Sequence, residues 1–215
     1  MKLVAESLQS YMRFTEDGDP IHDMGIGVDE LIHKWMHDRG IQKHKYRLTK
    51  NKTIIGDDTI ILANMHIGEF PEFINFAHIN GGFHCDNSDL TTLRGCPRLV
   101  QGSFFCSKNH LKSSSLVGGP QQVIGTYAAS NCGLESLEGI AFKIEESLYI
   151  DSNSLHSLEF IPKEVGDLYM TNNPIETLKY FPEEIAGDLH ITSSKILNEH
   201  TVLQKCKVLG TIYEY

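Results

Sequence analysis

The sequence has little that would place the chain in a membrane or in an export pathway. It contains no apolar run that approaches the length of a transmembrane helix. Its first residues do not form a signal peptide, because Glu6 interrupts the only apolar stretch there. We therefore expect a cytoplasmic protein that has no membrane partner.

Catalytic and nucleotide-binding fingerprints are also absent. There is no Gly-x-Ser-x-Gly elbow, no P-loop and no dinucleotide-binding glycine motif. His33 and His37 are four residues apart, but Lys-Trp-Met separates them and the zincin glutamate is missing. Asp17, Asp19 and Asp23 do not match the spacing of a calcium loop. We therefore expect no catalytic residue, no metal ion and no cofactor, and predict that the chain is not an enzyme.

Basic residues are scarce. The chain has 19 Lys and Arg against 28 Asp and Glu, a formal net charge of −9. Direct binding to a nucleic-acid backbone needs a basic footprint, so we expect none. An acidic face can instead engage a basic partner, or imitate DNA toward a nucleic-acid-binding protein. A solvated acidic surface without a partner is the alternative interpretation.

The sequence does contain a repeat of about 21 residues, between Gly81 and Lys195. The first large apolar residues of successive units are 21, 23, 21, 20 and 21 residues apart: Phe83, Phe104, Tyr127, Leu148, Leu168 and Leu189. An aliphatic residue follows seven positions later, and an asparagine stands two or three positions before that residue: Asn87, Asn109, Asn131, Asn153 and Asn173. Self-similarity at this period is typical of leucine-rich-repeat solenoids.

Each unit is predicted to open with a short strand whose side chains alternate inward and outward. The asparagine is expected to bond the backbone of the neighbouring coil where the chain leaves the strand. A degenerate unit is predicted at residues 60–70, which gives six to seven coils. Cys85 and Cys106 occupy the same inward position in adjacent strands, so we expect reduced core cysteines, as in cytoplasmic proteins.

The predicted fold is a β-rich repeat solenoid, α+β overall, over residues 59–195 with a cap at each end. Residues 1–58 are predicted to form the N-terminal cap, and residues 196–215 a small C-terminal cap with a helix and a final strand. The N-terminal cap is predicted to contain two helices and a hairpin, over residues 2–14, 29–37 and 46–55. Terminal repeats need such shielding because their outer faces are otherwise apolar.

Two units carry a family resemblance: Gly-Gly-Phe-His-Cys-Asp-Asn from Gly81, and Ser-Phe-Phe-Cys-Ser-Lys-Asn from Ser103. They resemble the glycine- and cysteine-rich, leucine-rich-like repeats of tailed-bacteriophage proteins, and the region before the repeats is similar to theirs as well. The resemblance implies a protein-binding function, and a phage origin implies a host or host-defence target in the host cytoplasm. The chain departs from the pattern at residues 112–119 and in its last units, where cysteine is lost.

The outward strand positions form a stripe along the strand face, which is the usual binding surface of a solenoid. Aromatic residues recur there although the repeat does not require them, and aromatic side chains with polar neighbours are typical of binding hot spots. The predicted protein-binding residues are His84, Asp86, Phe105, Tyr149, Asp151, Tyr169 and His190. The alternative is that adjacent aromatic rings merely pack along a ladder.

Two further functions stay open beside protein binding. The first is a small-molecule sponge or an enzyme, with a site between the N-terminal cap and the first coils. Its candidate residues are His22, Asp23, His66 and His84. The second is a structural or assembly component, in which copies of the chain form a homo-oligomer.

Overall fold

The computed structural model describes residues 27–111 and 116–215. The predicted helix over residues 2–14 lies outside these ranges, and so do His22 and Asp23. The described chain is a β-solenoid of roughly seven stacked turns, built from short parallel strands with few helices. The prediction of a repeat solenoid is confirmed at this level.

Helix α1, Val28–Asp38, stands at the start of the solenoid. Two acidic residues in its first turn complement the helix dipole, and the helix ends before Gly40, which takes a φ of 72°. Its apolar face buries Trp35, whose ring centroid lies 5.9 Å from that of Phe70 in the first coil. The hydrophobic core therefore continues from the helix into the repeats.

Strands β1, Tyr46–Leu48, and β2, Ile54–Gly56, pair antiparallel after a 3₁₀ turn at Lys43–Lys45. The hairpin is thus present where the sequence predicts it. Strand β2 then pairs in parallel with β4, Phe76–Ile79. The hairpin is therefore the first layer of a longer sheet.

The turns build a front sheet and a second sheet. The front sheet has eight parallel strands: β3 Ile60–Ile61, β5 Phe83–His84, β7 Phe104–Phe105, β9 Tyr127–Ala128, β11 Leu148–Tyr149, β13 Leu168–Tyr169, β15 Leu189–Ile191 and β17 Ile212–Glu214. The second sheet continues β1, β2 and β4 through three strands: β6 Leu99–Val100, β8 Gln122–Val123 and β10 Lys143–Ile144. A separate three-stranded sheet follows: β12 Glu164–Val165, β14 Glu184–Ile185 and β16 Lys207–Val208.

Each turn also contains a second short strand, built around an aliphatic residue, which the repeat pattern does not predict. That residue is the inward, buried member of a two-residue strand: Val100, Val123, Ile144, Val165 and Ile185. Its strand neighbour is partly or fully exposed. A strand with one inward residue has no alternation that a pattern search could detect.

The core positions of the front sheet follow the predicted period. The first apolar residue of every unit from Phe83 to Leu189 is completely buried, and so is the residue two positions later, which includes Cys85 and Cys106. The cysteines of the described chain are all free and buried. The repeat pattern fails at one position, because the aliphatic residue seven positions after Leu189, Ile196, is exposed while Leu197 is buried.

The asparagines divide into two positions that the sequence pattern merged. Asn109 and Asn153 are buried and bond the backbone of the preceding turn, as expected. Asn87 and Asn131 stand one position earlier, are exposed and take positive φ angles of 49° and 54°. Asparagine tolerates this left-handed conformation, which explains its presence at a turn.

The corner between the two sheets requires glycine where successive turns approach closely. A Cβ at Gly166 would overlap the carbonyl of Glu146, and one at Gly102 would lie 2.9 Å from the carbonyl carbon of Gly81. Backbone therefore packs on backbone at this corner.

The last segment adds a further turn to both sheets. Strand β16 pairs with β14, and β17 pairs with β15, both in parallel. A short helix α2, Glu199–Leu203, begins at a capping box formed by Asn198 and Thr201. The single strand predicted over residues 208–213 is divided at Gly210, because the chain turns the glycine corner there.

Candidate functional site

The outward-pointing side chains of the front sheet form one continuous row, called here the outer ladder. Parallel pairing in register places each residue opposite its neighbour in the next turn. The row consists of Ile61, His84, Phe105, Ala128, Tyr149, Tyr169, His190 and Tyr213. Every aromatic or histidine residue predicted for protein binding lies on it. Tyr213 belongs to it as well, and the 23-residue step from Leu189 to Ile212 could have identified it.

The rings of the outer ladder stack on each other in two groups. Tyr169 lies between Tyr149 and His190, with 4.1 Å between ring centroids on both sides and interplanar angles of 9° and 12°. His190 also stacks on Tyr213 at 4.5 Å. In the other group, His84 stacks on Phe105 at 4.6 Å. Ala128 separates the two groups, since it contributes only a methyl group.

Stacking decides which parts of the rings a partner can reach. Each stacked pair contributes about 0.5–1.5 kcal/mol beyond the area it buries, so the ladder also supports the fold. A ring in the middle of a stack has both faces covered, which leaves its edge and its hydroxyl group exposed. The rings that border Ala128, Phe105 and Tyr149, have one face that no ladder neighbour covers.

Carboxylates flank the outer ladder on both sides. Asp151 lies on one side, where it accepts hydrogen bonds from the backbone N–H and the hydroxyl of Thr171. Asp167 lies on the other side, where it accepts from the Ser147 hydroxyl and the Asp188 backbone N–H. These bonds join adjacent turns, so the carboxylates are held in fixed positions. The predicted site residue Asp86 belongs to the same flank as Asp151.

A hydrogen bond, burial and nearby charges change the pKa values of two residues of this face. A hydrogen bond with Tyr149, then burial, then the charges of Asp167 and Asp188, raise the pKa of Tyr169 to about 12. Burial raises the pKa of Asp86 above its ordinary value. Tyr169 is therefore protonated at neutral pH and presents its O–H group as a donor.

His66 and His84 are the two residues predicted for a small-molecule site that the structure describes, and they make separate contacts. His66 is exposed and pairs with Asp89, whereas His84 stacks on Phe105 in the outer ladder. His33, in α1, shares a 2.7 Å hydrogen bond with the Tyr46 hydroxyl. In residues 27–111 and 116–215, no three His, Cys, Asp or Glu side chains are arranged to hold a metal ion.

A groove that the sequence did not indicate runs along the turns away from the outer ladder. Its volume is about 1060 Å³, and its walls include Phe70, Arg94, Val117 and Phe142. Four glycines with positive φ also line it: Gly68, Gly95, Gly118 and Gly139. Phe142 is 71% exposed at its edge. Only the spatial stacking of turns brings these residues together.

Comparisons with known proteins complete the description of the site. Neither helix in the described parts of the chain has the length and apolar character that a bilayer crossing requires. No protein-family model, no curated protein sequence and no solved structure matches the chain.

Proposed function

We propose that the chain is a non-enzymatic protein-binding module that holds its partner on the outer ladder and the flanking carboxylates. The observation that carries this proposal is the row of partly exposed aromatic rings between fixed aspartates on a rigid parallel sheet. Aromatic anchors that lose little conformational freedom are efficient contacts at protein interfaces. Here stacking restricts their rotamers before a partner arrives.

The resemblance to tailed-phage repeat proteins supports a narrower form of the proposal. A leucine-rich-like phage protein would act in the host cytoplasm and would bind a host or host-defence factor. In this form residues 1–58 and 196–215 cap the solenoid, and residues 59–195 supply the binding face. The acidic surface favours a partner with a basic patch.

The direct test is capture of a partner by the tagged protein from a bacterial host lysate. A triple variant with Phe105, Tyr149 and Tyr169 changed to alanine should retain the circular dichroism spectrum of the fold and lose the partner. Phe142→Ala is the matched control, because it removes an exposed aromatic ring away from the outer ladder. One stoichiometric protein captured by the control and lost in the triple variant is the expected result. Equal capture by all three proteins would refute the assignment of this face.

The groove favours a second candidate function, the binding of a small molecule along the early turns. Its size and mixed lining, with Phe70 and Arg94, suit a ligand that has an apolar and an anionic part. A rise in melting temperature with a panel of nucleotides and metabolites, abolished by Arg94→Ala, would support this function. A flat response across the panel would count against it.

A further inference from the structure

The break in the outer ladder at Ala128 is a notch of defined shape. Its floor is the half-buried Ala128 methyl group, and its walls are the rings of Phe105 and Tyr149. Both wall residues are held by their stacks on the far side, with centroid distances of 4.6 Å to His84 and 4.1 Å to Tyr169. The two walls therefore face each other across one missing ring.

The width of the notch follows from the spacing of the sheet. Phe105 and Tyr149 are two strands apart, so their rings are separated by about 9–10 Å. Adjacent rings elsewhere in the ladder are 4.1–4.6 Å apart. One planar group therefore fits between the walls at normal stacking distance from both.

The two open ends of the notch carry negative charge. At one end, the Ser130 hydroxyl donates a hydrogen bond to Asp151. At the other end, the Thr126 hydroxyl donates to Glu146. The donor–acceptor distance is 3.3 Å in both. Each carboxylate retains acceptor capacity beyond these bonds. One basic side chain, Lys108, lies on the Asp151 flank and is exposed.

We propose that this notch receives the guanidinium group of an arginine side chain from the bound protein. This inference rests on the proposed function and specifies what the binding face recognises. A guanidinium is planar, weakly hydrated and stacks well on aromatic faces, so Phe105 and Tyr149 can hold it from both sides. Its N–H groups point outward in the plane of the group, toward the carboxylates of Asp151 and Glu146.

Other side chains match either the planar shape of the notch or its negative charge less well than arginine does. A lysine ammonium is compact and strongly hydrated, and it cannot fill a planar slot. An aromatic ring can stack between the walls, but it leaves both carboxylates without a countercharge. Of these three kinds of side chain, only arginine satisfies the shape and the charge together.

The test uses blocked pentapeptides, acetyl-Gly-Gly-Xaa-Gly-Gly-amide, with arginine, lysine, citrulline or tryptophan at the centre. Binding is followed through the NMR signals of the Ala128 methyl group and of the Phe105 and Tyr149 rings. The arginine peptide should give saturable shifts at these signals and bind at least about fivefold more tightly than the other three peptides. The citrulline peptide is the matched control, because it keeps the planar shape and lacks the charge.

Two variants of the protein make the assignment specific. Ala128→Tyr should complete the ladder and abolish the shifts at the wall rings, whereas Ala128→Ser keeps the notch open and should bind normally. Asp151→Asn should weaken the arginine peptide by about tenfold and leave the tryptophan peptide unaffected. The proposal is refuted if no saturable shift appears, if Ala128→Tyr binds as the wild type does, or if the tryptophan peptide binds more tightly.

The fate of this inference can be separated from that of the proposed function. If the ladder variants lose the captured protein while the arginine peptide leaves the notch signals unchanged, only the arginine assignment fails. If the peptide binds in the notch and no protein is captured, the protein-binding function fails instead. Capture that is lost in Ala128→Tyr and kept in Ala128→Ser supports both.

Discussion

Replacement of Asn109 by alanine should remove a large part of the stability of the fold. The Asn109 side chain accepts hydrogen bonds from the backbone N–H groups of Ser88 and Leu90, and each donor–acceptor distance is 3.0 Å. It donates to the carbonyls of Cys85 and Cys106, at distances of 2.9 and 2.7 Å. The asparagine is 3% exposed, so water cannot replace these bonds without opening the turn.

The expected magnitude follows from the two N–H groups that would lose their acceptor. A buried donor left without a partner costs about 1–3 kcal/mol, so the pair predicts a loss of about 4 kcal/mol. Domains of this kind have a free energy of unfolding of about 5–15 kcal/mol, so the loss is a substantial fraction. With a urea dependence of about 2–3 kcal/mol per molar, the unfolding midpoint should fall by about 1.5 M.

The matched control is Asn87→Gly. Asn87 is exposed, makes one side-chain hydrogen bond to Asn64, and has a φ of 49° that glycine adopts freely. Its replacement should change the free energy of unfolding by less than about 0.5 kcal/mol. If the urea midpoints of the Asn109 and Asn87 variants agreed, the role assigned to the buried asparagine would be wrong.

Five further predictions use other features of the molecule. Gly166→Ala should destabilise the protein by about 3 kcal/mol, since the methyl group would overlap the backbone of the preceding turn. Gly133→Ala, with open space but a φ of 71°, should destabilise it by about 1 kcal/mol. Tyr127→Phe should leave stability unchanged or raise it by about 1 kcal/mol, because the buried hydroxyl has no hydrogen-bond partner among the described residues. In an ultraviolet titration Tyr169 should ionise near its pKa of about 12, and Tyr149→Phe should lower that pKa by removing the first cause of the shift. The five cysteines are free and buried, and burial raises the pKa of the Cys85 and Cys106 thiols, so a thiol reagent should label all five only after unfolding.

Each of these predictions has an outcome that contradicts it. Urea unfolding that ranks the two glycine variants in the reverse order would refute the close approach at the corner. A loss of more than about 1 kcal/mol in Tyr127→Phe would show that the hydroxyl is bonded. The tyrosine titration also fixes a sign for pH dependence. The folded chain keeps this proton to higher pH, so the Tyr169 contribution is full below the ordinary pKa of 10.0 and is lost as pH rises through about 12. Thiol labelling in native buffer would contradict the packed core.

The structure was predicted best at the positions that are buried once in every repeat of about 21 residues. The residues from Phe83 to Leu189 face inward in successive turns, so each must be large and apolar. Strict alternation then places their neighbours outward, which is why the outer ladder could be predicted as far as His190, whereas Tyr213 in the last turn was missed. The stacking distances between the rings, and the two ring faces beside Ala128 that no neighbour covers, are known only from the structure.

Some features were missed because different residue types make equivalent hydrogen bonds at the same position of the repeat. Ser88 and Cys132 occupy the position that Asn109 and Asn153 fill in other turns. The Ser88 hydroxyl and the Cys132 thiol donate to carbonyls of the preceding turn, at distances of 2.6 and 3.2 Å. A search for asparagine therefore selected the adjacent residue, Asn87, at this turn. The groove was missed because its lining is scattered over residues 67–142.

The direction of the asparagine bonds has a consequence for synthesis on the ribosome. Asn109 and Asn153 each complete the hydrogen bonds of the turn before their own, at Ser88 and Leu90 and at Cys132 and Leu134. A newly made turn therefore waits for the following repeat, about 21 residues, which takes roughly 1–4 s at translation rates of about 5–20 residues per second. At these two stages of synthesis, the growing chain carries an unfinished turn at its C-terminal end.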